Sequence, residues 1–394
     1  MGLSTYVATI VLGLAVLLGW LTDRHTLIWL TVNNRPGRLP QISKFADQKI
    51  VFADRIRNCE DVHLDTQRGF AILSCDPGRD TWNTVMGTFI NATNPGTLYL
   101  YNYASTFDAT SDEKNLHPLP MTNFPTASRQ TFHPLGLAYN PKTLQLFVAN
   151  HAPTGSAIEL FTLDPNPEAP SLHHEKTITH PLLHGPNALL AVSEHELYIT
   201  NDHLFTQRAS PFLAALETYS AYPGGTVVYA NLQTDTYKVA AHLPYANGIA
   251  ALNQTHVAVA STTTPSVTVY RINPATKDLE KALSFRTRFL VDNLSVDGKG
   301  KLIMAGHPFF PAVAKVARSN WVVDFEGNGR GRPVAKRGRA PSWVAEWDGN
   351  VEGRVEDLFV GDEFGTSSTA VRDVKRGLGL VSGLYERGVL VWKE

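Results

Sequence analysis

The stretch FLVDNLSVDGKGKLIMAGHP, Phe289 to Pro308, sets Asp292 and Asn293 side by side at the mouth of a short apolar alternation, turns at a Gly-rich link and returns to His307. Apolar residues at every second position read as a half-buried strand, so the unit is a β-hairpin with its most hydratable groups gathered at one end. The same order of small or polar lead-in, strand, turn and second strand recurs in HPLGLAYNPKTLQLFVANH (133–151), GPNALLAVSEHELYITNDH (185–203), YANGIAALNQTHVAVASTT (245–263) and TSSTAVRDVKRGLGLVSGLY (366–385). Successive units lie roughly 45–70 residues apart, a period that suits four-stranded blades with variable outer loops. With a degenerate unit at 59–75, they predict an all-β chain, a six-bladed β-propeller over residues 50–394.

Further strand signals, GTLYLYNY (96–103), IELFTLD (158–164), GTVVYANL (225–232) and SVTVYRI (266–272), are separated by Gly, Pro, Asn and Asp turns, and helical periodicity is nearly absent. With 394 residues, 43% hydrophobic and 18% charged, the chain can bury a large core. Its formal net charge of -1 supplies no long-range field, so no nucleic-acid partner is expected. Residues 324–350, with Arg330, Arg332, Lys336, Arg337 and Arg339 among Gly and Pro, read as an exposed basic loop insertion. Docking on an acidic partner is the functional alternative to a solvated loop.

Residues 1–22 carry no charge, and the apolar run Ile10–Leu21 lacks the basic lead of an ordinary secretory signal. The segment is expected to form an N-terminal hydrophobic helix, either a signal-anchor or a signal peptide. Both route the chain into the secretory pathway, secreted or held at the lumenal or extracellular face of a membrane. A helix packed on the protein is the plain alternative, and residues 23–49 read as a linker. Asn91-Ala-Thr and Asn253-Gln-Thr are glycan acceptor sequons consistent with that route, whereas Asn293-Leu-Ser falls where the Asn is needed by the site. Cys59 and Cys75, the two cysteines, either pair to close a short loop or stand as buried thiols.

In a propeller the innermost strand of each blade lines a central channel, so the residues leading into it converge on one axis. The repeats give Asn187, Asn247 and the pair Asp292–Asn293 the same phase, and Glu60, in NCEDVHLD (58–65), can add a carboxylate. Asn and Asp before a strand are ordinarily turn formers. Recurrence at one phase points instead to a hard cation, because Ca2+ takes about six to eight oxygen ligands and accepts neutral amides beside carboxylates.

On these residues, and on NHAPTGSAIELF (150–161), GPNALLAVSEHELYITNDHLF (185–205), YANGIA (245–250), LVDNLSVD (290–297) and GHP (306–308), the chain resembles the serum paraoxonase/arylesterase family. These are calcium-dependent six-bladed propeller lactonases and esterases, and the resemblance, to a divergent, fungal-like member, runs from about residue 50 to 394. It implies a catalytic calcium held by Glu60, Asn187, Asn247, Asp292 and Asn293. A weaker, structural calcium site would use Asp61 and the Leu137 carbonyl, with Ala188 where the family has a third ligand, Asp. Of the family's water-activating histidine pair, His151 matches one member, while Leu135 replaces the other; His133, two residues earlier, is the nearest substitute. His203 and His307 match further family histidines near the pocket. The family's disulfide from the Cys59 position to the C-terminal end has no second cysteine here, so ring closure is expected from pairing of the early strand near Cys59 with the last blade.

The resemblance implies hydrolysis of a small apolar lactone or aryl ester, with Ca2+ polarising the carbonyl. A metal-edge carboxylate, Asp292 or Glu60, then activates water, and His151, His203 and His307 are the other candidates for proton transfer. The substitution at Leu135 predicts weaker or narrower esterase chemistry. The alternative is a non-hydrolytic, calcium-stabilised propeller that serves as a binding or scaffold protein, membrane-tethered through residues 1–22, or that guides a non-hydrolytic step on a small molecule. No Gly-x-Ser-x-Gly elbow supports a serine hydrolase.

Overall fold

The hairpin at 289–308 forms as strands Leu290–Val296 and Leu302–His307, paired antiparallel, and its sheet extends outward through Ser342–Trp347 and Glu356–Gly361. The computed structural model describes Leu17, Leu21 and residues 24–104, 112–349 and 354–394. Three more repeats build comparable meanders. Their first strands are Pro134–Asn140, Pro186–Ala191 and Ala246–Ala251, each followed by antiparallel neighbours in sequence order. The two ends of the chain share one larger sheet, in which Arg57–Asp65 pairs on one side with Phe70–Cys75 and on the other with Leu378–Arg387. Strand Ser367–Asp373 pairs with Leu378–Arg387 as well. The result is an all-β, propeller-like fold. Its first strands pack beside one another in the circular order Arg57–Asp65, Pro134–Asn140, Pro186–Ala191, Ala246–Ala251, Leu290–Val296, Ser367–Asp373 and back to Arg57–Asp65.

Each of these inner strands breaks register with its outer neighbour at the same place. The irregularities fall between Cys59 and Asp61, Pro134 and Leu137, Pro186 and Leu189, Ala246 and Ile249, Val291 and Leu294, and Ser367 and Ala370. A bulge inserts an unpaired residue and re-aims side chains that strict alternation would send to opposite faces. The bulged segments contain Glu60, Leu135, Asn187, Asn247, the Asp292–Asn293 pair and Thr369, so these residues meet near one axis. Neighbouring bulges lie close: a Cβ on Gly136 would sit 2.1 Å from the Asn187 carbonyl oxygen, and one on Gly248 would sit 2.6 Å from the Asn293 Cα. Only glycine permits that approach.

Closure comes from both ends of the chain. Strand Ala46–Val51 pairs with Val389–Lys393, and the Phe45 ring stacks 4.1 Å from Trp392 and 5.6 Å from Phe359. Cys59 and Cys75 form a disulfide across adjacent strands, which settles the choice between a bridge and two thiols. Residues 23–49, expected as a linker, hold a helix over 24–33 and strands Ile42–Ser43 and Ala46–Val51. Most of the hydrophobic leader lies outside the described residues; among those described, no helix is long and apolar enough to cross a membrane. The basic segment 324–350 is not irregular throughout, because its end supplies the buried strand Ser342–Trp347 and Arg337 is paired with Glu386. Short helices, Pro211–Ser220 and Phe310–Ser319 among them, depart from the near-absence of helix expected. Pro211–Ser220 is capped by Ser210, whose hydroxyl accepts from the Leu213 N–H, and both it and Phe310–Ser319 carry proline in the first turn. Asn91 and Asn253 are exposed and Asn293 is buried.

Candidate active site

The bulges converge on a cavity of about 670 Å³, lined at its polar end by Glu60, Asn187, Asn247, Asp292 and His307. Its walls are apolar, from Val85, Met86, Leu135, Leu290, Val313 and Leu384. The helix over 24–33 and the helices Pro211–Ser220 and Phe310–Ser319 all contribute to the lining. The first of these is pinned at both ends: Arg24 Nη1 donates to the Thr263 carbonyl at 2.8 Å, and Asn34 Nδ2, just past it, donates to the Pro308 carbonyl at 3.1 Å.

At the polar end, Asn293 Nδ2 donates to Glu60 Oε1 at 2.8 Å and to Thr369 Oγ1 at 3.0 Å. Asn247 Nδ2 donates to Asp292 Oδ1 at 2.8 Å and to Thr262 Oγ1 at 3.0 Å. The amide nitrogens are thus turned into the protein. The oxygens Glu60 Oε2, Asn187 Oδ1 and Asn247 Oδ1 remain buried without a hydrogen-bond partner. Buried oxygens left unmatched are costly, and three on residues drawn from separate strands form an acceptor-rich set suited to a hard cation. Among the described residues no group of three or more His, Cys, Asp and Glu side chains is arranged to hold a metal; this cluster fits through amide oxygens beside two carboxylates. Burial pushes the Glu60 carboxyl well up, reinforced by Asp61 and Asp292 and opposed by the Arg79 guanidinium and the Asn293 amide. A cation at the cluster would reverse that balance.

At the expected second, structural ion site, Asp61 already accepts hydrogen bonds from the protein. Asp61 Oδ1 accepts from the Val62 N–H at 2.8 Å and lies 3.0 Å from the Thr369 hydroxyl. Its Oδ2 accepts from the Leu137 N–H at 2.8 Å, with His63 Nε2 at 3.5 Å. Leu137 meets Asp61 through its amide, and Ala188 brings no side-chain oxygen. Burial alone would raise the Asp61 carboxyl, but His63 and the Leu137 and Thr369 hydrogen bonds hold it below the usual range.

The histidines divide between two places. His307 Nε2 lies 3.1 Å from Asp292 Oδ2 at the large cavity, and its Nδ1 is buried without a partner. His151 and His203 line a separate cavity of about 300 Å³. Both ring nitrogens of His151 are engaged: Nδ1 with the Thr84 hydroxyl, and Nε2 donating to the Pro186 carbonyl at 2.6 Å. Burial keeps its pKa below the ordinary imidazole value. Burial would also lower His203, but the Asp202 carboxylate 3.3 Å away, together with Glu217, outweighs it and raises the ring. His133 does not reach the large cavity, since its nitrogens meet Asp76 Oδ2 and the Ala92 carbonyl, each at 3.0 Å. Leu135 does line that cavity.

Sequence reasoning missed Arg79, Tyr245 and Thr262, which line the cavity, and Thr369 and His63, which hold the Asp61 carboxylate next to Glu60. For Arg79 a signal existed. Asp76-Pro77-Gly78 is a strong turn former, and the Asp76 side chain accepts from the Gly78 N–H to open the short 3-10 helix Pro77–Asp80 that carries Arg79.

Comparison with known proteins gives consistent relatives. The sequence profile of the family described as Arylesterase matches residues 86–319. Serum paraoxonase/arylesterase 1 of Rattus norvegicus is 36% identical over 190 residues, 46% of this chain and 51% of that protein. Serum paraoxonase/arylesterase 2 of Canis lupus familiaris is 34% identical over 45% of this chain and 50% of its own. The chain thus spans about half the length of these curated relatives. Serum paraoxonase/lactonase 3 of Oryctolagus cuniculus is 30% identical over 71% of this chain and 75% of that protein. A solved luciferin-regenerating enzyme superposes with a TM-score of 0.51 at 11% identity, covering 88% of this chain and 95% of that one, a likeness of fold alone.

Proposed function

Because the chain belongs to the arylesterase family that includes the serum paraoxonases, we propose that it is a calcium-dependent hydrolase of lactones or aryl esters built on a six-bladed propeller. The observation that carries the reading is the set of unpartnered oxygens on Glu60, Asn187 and Asn247 at the floor of an apolar cavity, beside Asp292 and His307. The circular packing of the inner strands supports the blade count. Glu60, Asn187, Asn247, Asp292 and Asn293 would hold the ion. Calcium, when bound, supplies Lewis-acid polarisation of the ester carbonyl and stabilisation of the oxyanion.

The chain's own residues supply the proton chemistry. Asp292 Oδ2 accepts the Nε2–H of His307, which selects that tautomer and leaves Nδ1 with a free lone pair. Once a turn of the ring opens the buried Nδ1 to the cavity, it removes a proton from water as the oxygen attacks the carbonyl carbon. It then returns the proton to the leaving alkoxide when the C–O bond breaks, so the metal-edge carboxylate acts through the imidazole. His151 serves as a positioning residue, fixing the Pro186 carbonyl beside Asn187. The apolar walls, Leu135 among them, exclude bulk water and hold the apolar part of the substrate. Exposed Ile28, Trp29 and Val32 on the helix over 24–33 and Phe212 and Leu216 on Pro211–Ser220 are apolar surface that supports a membrane-facing location in the secretory pathway.

A second reading, a calcium-stabilised binding protein without hydrolysis, is favoured by Leu135 at the position of a family histidine and by the closed hydrogen bonding of His151. A lactone and aryl-ester panel with calcium and with chelator, on wild type and His307→Gln, separates the two. Hydrolysis that stops with chelator, returns with calcium and drops about 10²–10⁴-fold in His307→Gln supports the hydrolase. Hydrolysis indifferent to both changes refutes the mechanism, and calcium binding without any hydrolysis establishes the second reading.

A further inference from the structure

Arg79 is a buried cation that the mechanism above does not use. It is 3% exposed, lines the large cavity, and donates Nη2 to the Pro134 carbonyl at 2.9 Å. Its Nε is buried without a partner, and among the described residues no carboxylate lies within ion-pair distance of it. The acidic groups of its neighbourhood do not pair with it, although its charge acts at longer range on Glu60. Asp76 holds His133 at 3.0 Å and the Gly78 N–H at 2.9 Å. Asp80 faces Arg57 Nε at 3.3 Å and Asn320 Nδ2 at 3.2 Å. Glu60 accepts from Asn293, with its other oxygen among the unpartnered cluster oxygens.

A guanidinium cannot shed its charge in a protein, and holding one in an apolar cavity with an unmatched N–H is costly. A neutral amide could donate equally well to the Pro134 carbonyl, so that single hydrogen bond does not account for the charge. Among the other lining groups, the acceptor-rich cluster places a carbonyl and hydrocarbon places an apolar body, while the cations Lys315 and Arg318 are solvent-exposed, which leaves Arg79 as the buried one.

We propose that Arg79 is a specificity-determining residue that binds a free carboxylate on the substrate, so that the cavity selects lactones or esters bearing a carboxylate apart from the bond to be cleaved. This rests on the hydrolase reading of the same cavity for where the ester sits, and on Arg79 alone for the anion. A planar carboxylate matches a guanidinium edge and would supply the charge that Arg79 lacks in contact.

The test uses the full chain with calcium. Monophenyl glutarate and its neutral methyl ester are compared as substrates, and 4-phenylbutyrate and 4-phenylbutyramide are compared as equilibrium ligands by calorimetry. Wild type is expected to favour the half-ester and to bind the butyrate in preference to the amide. Arg79→Gln should lower the ratio of half-ester to neutral-ester kcat/KM by about 10–100-fold, mainly through KM, and abolish the binding preference, as expected for loss of a charge-assisted hydrogen bond. Arg79→Lys, which keeps the charge, should retain part of both. An unchanged ratio in Arg79→Gln, or equal binding of butyrate and amide by wild type, overturns the assignment. If wild type cleaves neither ester yet binds the butyrate in an Arg79-dependent way, the hydrolase reading fails and the anion site stands.

Discussion

Asn187→Ala separates a ligand from a structural amide, because its effect should depend on calcium. In the structure Asn187 Oδ1 is buried and unpartnered. Without the ion, truncation removes an unsatisfied oxygen, which relieves about 1–3 kcal/mol. It also removes packing of similar worth, so the net change in chelator should lie within about 1 kcal/mol of zero. With the ion, the same change deletes a ligand. One buried polar contact worth up to about 3 kcal/mol weakens binding about a hundredfold. At calcium 1,000 times the wild-type Kd the ion adds about 4.1 kcal/mol, and a hundredfold weaker variant keeps about 1.4 kcal/mol, a calcium-specific loss near 2.7 kcal/mol. Urea unfolding of both proteins in calcium and in chelator measures the difference between the two losses, in which the packing contribution cancels. Equal losses in both conditions would show that Asn187 does not face an ion, and the cluster would lose its meaning as a metal site.

Three further outcomes follow from other parts of the chain. Wild type should bind one calcium per chain by equilibrium dialysis; Ala188→Asp with His63→Gln frees Asp61 and adds a carboxylate, and should raise the count to two. A wild-type count of two would mean that the Asp61 site takes an ion despite its closed hydrogen bonding. Removing the disulfide as Cys59→Ala with Cys75→Ala opens a loop of sequence separation 16 and should cost about 2–4 kcal/mol in urea unfolding, with no loss counting against its role. His151 has a folded-state pKa lowered by burial, so as pH falls below about 6.5 the unfolded chain takes up a proton that the folded chain refuses. Stability should decline through that window and be maintained above it, and His151→Gln should flatten the decline; a slope unchanged in the variant would assign the effect to another group.

Much of the fold was legible because hairpins with period-2 alternation are local. The strands expected at 158–164, 225–232 and 266–272 appear as Gly155–Asp164, Gly225–Asn231 and Ser266–Ile272. The helices Pro211–Ser220 and Phe310–Ser319 were missed because each is ten residues long, too short for periodicity to stand out, although Ser210-Pro211 and Pro311 mark their starts. Residues 23–49 resembled a linker because their strands have no sequence-local partner. Ala46–Val51 is ordered by Val389–Lys393 at the far end of the chain.

Taken alone, the sequence determined the kind of atom available at the axis: carboxylate and amide oxygens at one phase of a repeat, hydrocarbon at Leu135 and Ala188, and two cysteines with no third. Tertiary structure decided what those atoms face. The bulges break the two-residue alternation, so adjacent Asp292 and Asn293 join one cluster, each through a different partner, Asn247 or Glu60. It placed His307 rather than His151 beside that cluster, satisfied Asp61 from His63, Leu137 and Thr369, and left Arg79 without a carboxylate in contact. The reason is that chemical type is carried by each residue, whereas hydrogen-bond satisfaction depends on groups brought together from strands far apart in the chain.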